Sequence, residues 1–513
     1  MIEIDAHHSC LSKYITDIKG QTRVKISSIV QDSRLVKNQG CFVAIHGQHS
    51  NGHHYIPQAC EAGASLVIHE EPFQETWGNY SKTSFWHVSD SRKVFSYISS
   101  AINDFPAKKI PIIGVTGTDG KSTTVSLVHQ LLTATGLRAG FISTVNMHDG
   151  ISLVKNDLRQ STPEADTIQE ILKTMVDNQC DCAVIEATSH GLSPKTSRLA
   201  DVYFATAIIT NISHEHLEFH GSFEQYKKDK SELFKKLGPA NGQQPAAIIN
   251  ADDPNCMDMA EVANTKKIIT YSTINSKASI WAEDIKSKGN GSDFFICTPD
   301  YRESVHTELI GEINIANILA AIAAVHSTFN TPLSVLAKAV PNLSGPPGRM
   351  NRIECGQPFT CIIDYAHTPG SFEKIFPMLR QFVDGRLISV FGSAGERDKG
   401  KRPMQGKIAD QYCDLIILTD EDPRNEDQYA ILTEIAAGIS KKTMDETLFL
   451  IPDRKQAIKK ACEMANENDL LIILGKGHEG SIIQKDRVLP WDEEAVLREI
   501  LQEMNIHNTG VQK

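Results

Sequence analysis

The sequence predicts an α/β protein of three domains: an N-terminal α/β module, a central P-loop ATPase-like parallel sheet and a C-terminal Rossmann-like domain. Three observations predict it. The 513 residues exceed what one hydrophobic core usually organises. Near-continuous apolar runs alternate with longer helical patterns in two stretches, as in parallel strands covered on both faces. Pro/Gly-marked junctions at Phe105-Pro106 and Ser344-Gly345-Pro346-Pro347-Gly348 divide the chain near 1–106, 107–343 and 344–513.

Composition narrows the function. Apolar residues make up 41% and charged residues 22%, ordinary values for a globular chain, and no stretch reads as a membrane span. The formal charge of −11 argues against nucleic-acid and anionic-membrane surfaces, but leaves room for anionic small molecules in a locally basic cleft. Met1-Ile2-Glu3-Ile4-Asp5 lacks the basic start and apolar run of a secretory signal, so a cytoplasmic location is expected. Eleven scattered cysteines include no CxxC pair, and Cys180 and Cys182 alone make weak metal ligands; reduced, mostly buried thiols are expected.

In the middle segment the runs Ile110–Val115, Ala183–Ile185, Ala205–Ile209 and Ala246–Ile249 read as strands. They end in Thr118-Asp119-Gly120-Lys121, Glu186, Asn211 and Asn250-Ala251-Asp252-Asp253, and ligands of open parallel sheets bind beyond such ends. The first continues into Thr116-Gly117-Thr118-Asp119-Gly120-Lys121-Ser122-Thr123-Thr124 and then a helix-compatible run. Glycines there let backbone amides curl round phosphate oxygens, Lys121 reaches the β/γ-phosphates, and Ser122 is the natural Mg²⁺ ligand. Strict Walker spacing asks for glycine at 115, where this chain has valine.

The segment from Ser222 to Leu237 reads as an amphipathic helix with a serine cap and an apolar stripe of Phe223, Tyr226, Leu233 and Leu237. Lys230 falls on that stripe. A stem that packs while its ammonium snorkels to water is the plain alternative to a role in a site. His214, His216, Glu218 and His220 precede the helix and Glu186 ends a nearby strand, so a magnesium-binding region is expected here.

The last segment repeats the alternation in Cys361–Asp364, Leu387–Phe391, Leu415–Leu418 and Leu470–Leu474. Its strand ends carry Tyr365-Ala366-His367, Ser393 to Asp398, Glu421-Asp422-Pro423-Arg424 and Gly475-Lys476-Gly477-His478-Glu479. Two sheets lined at one edge by charged loops predict a cleft between domains.

Taken together, the glycine loop, Glu186-Ala187-Thr188-Ser189-His190-Gly191, Asn211 through Lys230, Asn250 to Asp253, Gly348-Arg349-Met350, Asp364 to Pro369 and Gly475 to Glu479 resemble the Mur ligase family over nearly the whole chain. Within it, the resemblance is to the branch that adds a diamino acid to UDP-MurNAc-L-Ala-D-Glu. It implies a sugar-nucleotide module at 1–106, an ATP-binding domain at 107–343 and an amino-acid-binding domain at 344–513; a monomer is expected.

The residue roles follow from matching positions. Ser33, Ser161, Thr162, Ser189 and Arg198 would hold the UDP-sugar peptide, Arg198 through a stretch about two residues longer than the family pattern. Gly117, Thr118, Asp119, Gly120, Lys121, Ser122, Thr123, Asn317, Arg349 and Asp364 would bind ATP. For Asp364, capping of the following helix is the alternative. Glu186, His216, Ser122 and a carbamoylated Lys230 would hold Mg²⁺, with Lys121, Glu186, His216 and Lys230 as the catalytic group. Arg397, Glu421, Asp422, Pro423, Arg424, Gly475 and Glu479 would hold the amino acid.

Here the chain departs from the family, whose loop is usually written Asp-Asn-Pro-Arg. Arg424 is suited to the distal carboxylate of meso-diaminopimelate. Asp422 suits an ammonium group, leaving lysine or ornithine open, and an ion pair between the two would remove either inference. The implied chemistry is phosphorylation of a carboxylate by ATP, followed by capture of the acyl phosphate by an amine. Rivals are folylpolyglutamate synthetase, another Mur step, and a nucleotide-binding regulator without activity.

Overall fold

The computed structural model describes residues 1–47, 50–77, 82–158, 160–213, 217–239, 244–288 and 291–509. Two compact units emerge: Met1–Ala282 with Ile296–Glu303 and Ala316–Ala339, and Glu283–Phe295 with Ser304–Ile315 and Val340–Lys513.

Among the described residues, the first unit contains a small antiparallel pair, Ile2–Asp5 with Arg23–Ile26, and two larger sheets. Five strands of its N-terminal part lie in the order Ile15–Lys19, Ser84–Val88, Leu66–His69, Cys41–Val43, Ile29–Val30, parallel except for the first pair. Alternation along them feeds two cores. Cys41, Val43, Leu66, Ile68 and Trp86 pack with Val94, Phe95 and Ile98 of the helix Ser91–Ile102, while Phe42, Val67 and Phe85 pack with Trp77 on the other face.

The larger sheet is built round Ile112–Thr116, which pairs in parallel with Cys182–Glu186 on one side and Thr206–Ile209 on the other. Outward on the first side follow Ala139–Ile142 and the antiparallel hairpin Asn146–His148 and Leu153–Lys155; on the second follow Ala246–Asn250 and Lys267–Ser272. All four expected strands form here. Their residues are buried throughout because helices cover both faces, which is why the sequence shows runs rather than alternation.

The second unit carries a six-stranded sheet in the order Asn351–Ile353, Thr360–Asp364, Leu470–Leu474, Leu387–Phe391, Leu415–Leu418, Leu448–Leu450, parallel after the first pair. Both faces are core. Ile362, Phe391, Ile416 and Ile472 point to one, and Cys361, Val390, Ile417 and Leu471 to the other.

One reading needs correction. The helix Glu312–Phe329 is long and apolar enough to cross a membrane, where the sequence reading found no such stretch, but 72% of it is buried inside the protein. Ile315, Ile318, Leu319 and Ala320 to Val325 are all enclosed, so its hydropathy is that of a core helix.

Candidate active site

The glycine loop joins the strand Ile112–Thr116 to the helix Lys121–Ala134. Gly117 and Gly120 have φ of +145° and +82°, where a side chain is strained, and neither has room for one. A Cβ on Gly117 would lie 1.8 Å from Thr210 Oγ1, and one on Gly120 would lie 2.6 Å from Asn317 Oδ1. Asn317 also accepts from Thr124 Oγ1 at 3.2 Å, which sets it against the loop. Thr118 N donates to Asn211 O at 2.8 Å, and Asp119 N to Asn211 Oδ1 at 3.0 Å. Lys121 Nζ donates to Thr118 O at 2.6 Å across the concave side of the loop. Thr123 is buried in the first turn of the helix.

Glu186 is buried at the end of its strand and gathers donors from two other segments. Ser122 Oγ donates to its Oε2 at 2.8 Å, Thr144 N to the same oxygen at 2.9 Å, and Thr144 Oγ1 to Oε1 at 2.9 Å. The sequence reading missed Thr144. Only the fold brings it beside Glu186, 42 positions away.

Lys230 does not snorkel. It is 1% exposed, its Nζ donates to Gly117 O at 2.5 Å and lies 4.4 Å from the centre of the Tyr226 ring. The helix Phe223–Lys235 that holds it is capped by Ser222, whose hydroxyl accepts from Gln225 N. Tyr226 OH and Thr118 Oγ1 are 3.0 Å apart, so this helix braces the glycine loop at two points. Ser122, Glu186 and a carbamate on Lys230 would offer hard oxygen ligands, the kind Mg²⁺ takes. As an amine, Lys230 is only a donor, so it fits the metal only after modification. His214 and His216 lie outside the described residues, as does the side chain of Glu218. His220 is not a metal ligand here: its Nδ1 is 2.8 Å from Asp229 Oδ2 and its Nε2 3.0 Å from Ser189 Oγ.

A cavity of about 870 Å³ opens in the same unit, lined by Ser33, Arg34, Arg92, Arg198, His190 and Phe219 among others. Ser33 and Arg198, far apart in sequence, therefore share one wall. Ser33 Oγ donates to Gln58 Oε1 at 2.8 Å. Arg198 pairs with Glu164 at 2.5 Å and donates to Thr162 O at 2.9 Å. Thr162 Oγ1 donates to Glu186 O at 2.7 Å, and Ser161 Oγ lies 2.6 Å from Thr144 Oγ1, whose one proton goes to Glu186, which links this wall to Glu186. Three arginines line the cavity together with two carboxylates, Asp32 and Glu164, which pair with Arg34 and Arg198; the guanidinium N–H groups those pairs do not use suit an anion. Arg34 adjoins Ser33 in the sequence and was open to detection; Arg92 gave no local signal.

In the second unit, Asp364 accepts from Met350 N at 2.7 Å and Ala366 N at 2.8 Å, while Thr368 caps the following helix. The helix-cap alternative for Asp364 is thereby replaced by a hold on the turn that carries Arg349, whose guanidinium lies 4.8 Å from the centre of the Tyr365 ring. Asp422 pairs with Lys476, at 2.9 Å, and not with Arg424; Ile483 N donates to the same Asp422 oxygen at 2.8 Å. Lys476 also contacts Glu479, which accepts from Tyr365 OH at 3.1 Å. Gly475 faces the buried Glu421, and Pro423 and Arg424 line a cavity of about 670 Å³. Arg424 sits at φ +53° with its N–H bonded to Ile483 O at 3.0 Å. Arg397 is exposed on the loop after Leu387–Phe391 and is not brought to either group.

Comparison with known proteins adds to this geometry. The Mur ligase middle domain matches residues 115–325, and the Mur ligase glutamate ligase domain matches residues 348–477. The chain is 44% identical over 491 residues to a UDP-N-acetylmuramyl-tripeptide synthetase of Roseiflexus sp. (strain RS-1), covering 94% of this chain and 95% of that one. It is 35% identical over 492 residues to a UDP-N-acetylmuramoyl-L-alanyl-D-glutamate–2,6-diaminopimelate ligase of Clostridioides difficile (strain 630), covering 96% and 98%. A solved structure of a ligase with that same name is similar at a TM-score of 0.67 and 29% identity, over 94% of this chain and 95% of the other.

Proposed function

The chain belongs to the Mur ligase family, and from that premise we propose that it adds a diamino acid to UDP-MurNAc-L-Ala-D-Glu at the expense of ATP, in the cytoplasm, as the tripeptide-forming step of peptidoglycan precursor synthesis. It is an ATP-dependent, peptide-forming ligase. The observation that carries the specific step is the arginine-rich cavity shared by Ser33 and Arg198, joined through Thr162 to the buried Glu186. A sugar nucleotide with a peptide arm needs both an anion site and a route to the phosphate loop.

In this reading the D-glutamyl side-chain carboxylate attacks the γ-phosphate, ADP leaves, and the amine of the diamino acid displaces phosphate from the acyl phosphate. Lys121 and the amides of Gly117 to Ser122 hold the phosphates and neutralise charge on the transferring group. Ser122, Glu186, His216 and carbamoylated Lys230 would hold Mg²⁺, which supplies charge neutralisation at the phosphoryl oxygens when bound. Asn317 supports the glycine loop, and Arg349, on the turn that Asp364 holds through Met350 N, would bind ATP.

The acceptor is meso-diaminopimelate. Asp422 is committed to Lys476 and Ile483 N, whereas Arg424 is left to grip a distal carboxylate. Turnover is measured with Mg-ATP, UDP-MurNAc-L-Ala-D-Glu and, separately, meso-diaminopimelate, L-lysine and L-ornithine, by phosphate release and product mass. Product with diaminopimelate alone is expected. Preference for lysine or ornithine would overturn the assignment of Arg424, and no product with any of the three would overturn the step. Carbamoylation of Lys230 is checked by carbon-13 NMR after exchange with labelled bicarbonate.

A further inference from the structure

Ser189, His220 and Asp229 form a buried hydrogen-bonded chain beside the arginine-rich cavity. Ser189 is 2%, His220 4% and Asp229 1% exposed. His190 and Phe219, their immediate neighbours in sequence, line that cavity. The aromatic rings of Phe219, Tyr226 and His190 surround the imidazole at 4.7, 5.2 and 5.3 Å between centres.

The direction of each bond in this chain follows from chemistry. Asp229, as a carboxylate, only accepts, so His220 Nδ1 carries the proton that spans the 2.8 Å to Oδ2. Gln225 Nε2 donates to the other oxygen at 2.7 Å, which fixes Asp229 from behind. When the ring is neutral with its proton on Nδ1, Nε2 offers only a lone pair, and Ser189 then gives its hydroxyl proton across the 3.0 Å gap.

We infer that His220 and Asp229 are positioning residues that turn Ser189 into a hydrogen-bond acceptor, so that it binds an N–H of the substrate's peptide arm and not a carboxylate. This rests on the proposed function, since it needs a peptide-bearing substrate in the cavity. Its sequence signal was read as part of a magnesium-binding region; the bonds to Asp229 and Ser189 give His220 a different task.

Asp229→Asn is the informative variant because it keeps shape. Gln225 holds the amide oxygen on its own side, the amide NH₂ then faces His220 Nδ1, and the ring must move its proton to Nε2. The test is steady-state kinetics of the full chain with Mg-ATP, UDP-MurNAc-L-Ala-D-Glu and the accepted diamino acid, for Ser189→Ala, Asp229→Asn, His220→Ala and each double variant with Ser189→Ala. Each single variant is expected to raise the KM for the sugar nucleotide about tenfold, with the KM for ATP within about twofold, the size of one hydrogen bond. In the Ser189→Ala background the other two changes should add nothing further. If His220→Ala does not fold, Asp229→Asn decides alone. Additive effects, or an Asp229→Asn enzyme with an unchanged KM, overturn the inference while leaving the reaction intact. A wild-type enzyme that does not turn over this substrate overturns the proposed function and the inference with it.

Discussion

Lys476 Nζ lies 2.9 Å from Asp422 Oδ1, and the lysine side chain is wholly enclosed. The pair ties the loop after Leu415–Leu418 to the loop after Leu470–Leu474. It also meets the charge of Asp422 with Lys476 and not with Arg424.

Lys476→Met should therefore leave a mostly buried carboxylate without its cation, at a cost of about 3 kcal/mol in the unfolding of the C-terminal domain. Adding Asp422→Asn should recover most of that loss. Denaturant melts of the two single variants and the double variant check this, and a double variant no better than Lys476→Met would refute it.

Gly117→Ala should abolish nucleotide binding. The added Cβ would meet Thr210 Oγ1, which itself donates to Asp119 O at 2.6 Å, so the loop cannot shift without breaking a bond that shapes it. The expected loss is at least a hundredfold in ADP affinity, about 3 kcal/mol, read by calorimetry.

Glu186→Gln should lower kcat by about a hundredfold while the protein stays folded. The three donors from Ser122 and Thr144 already point at the carboxylate, and an amide NH₂ would face at least one of them. Stopped-flow phosphate release, with melting temperature as control, separates a chemical defect from an unfolded one.

Asp420 gives a pH signature. Burial raises its pKa from 3.8 to about 6, and Gln428 donates to one of its oxygens. In the window between these values the folded chain holds the proton more tightly than the unfolded one, so stability falls as pH rises from about 4 to about 6 and stays lowered above it. The gap corresponds to about 3 kcal/mol. Asp420→Asn should therefore melt several degrees higher than the wild type at pH 8 and equally at pH 4, measured by calorimetry.

The sequence made the architecture legible where information is local. The apolar runs at 110–115, 183–185, 205–209 and 246–249 became neighbouring parallel strands, and the Ser222 cap and the inward face of Lys230 followed from helical spacing alone. Partnerships between segments were hidden. Nothing near Asp422 in the chain names Lys476, and nothing near His220 names Ser189, because such pairs are set by strand order and helix docking. His220 was grouped with neighbouring histidines on proximity, a weaker guide than the hydrogen bonds it makes.

The central place of Ile112–Thr116 in its sheet has a consequence for how the chain is born. It is the first strand of that sheet to be synthesised, yet its two neighbours arrive about 70 and 90 residues later. The loop that follows it is shaped by Thr210 and Asn211 and braced by Lys230, so it has no finished form on the early nascent chain. Such long-range pairing folds slowly. Nucleotide should therefore have nothing to grip until most of the middle domain has emerged, and ATP would stabilise the completed domain without guiding its assembly.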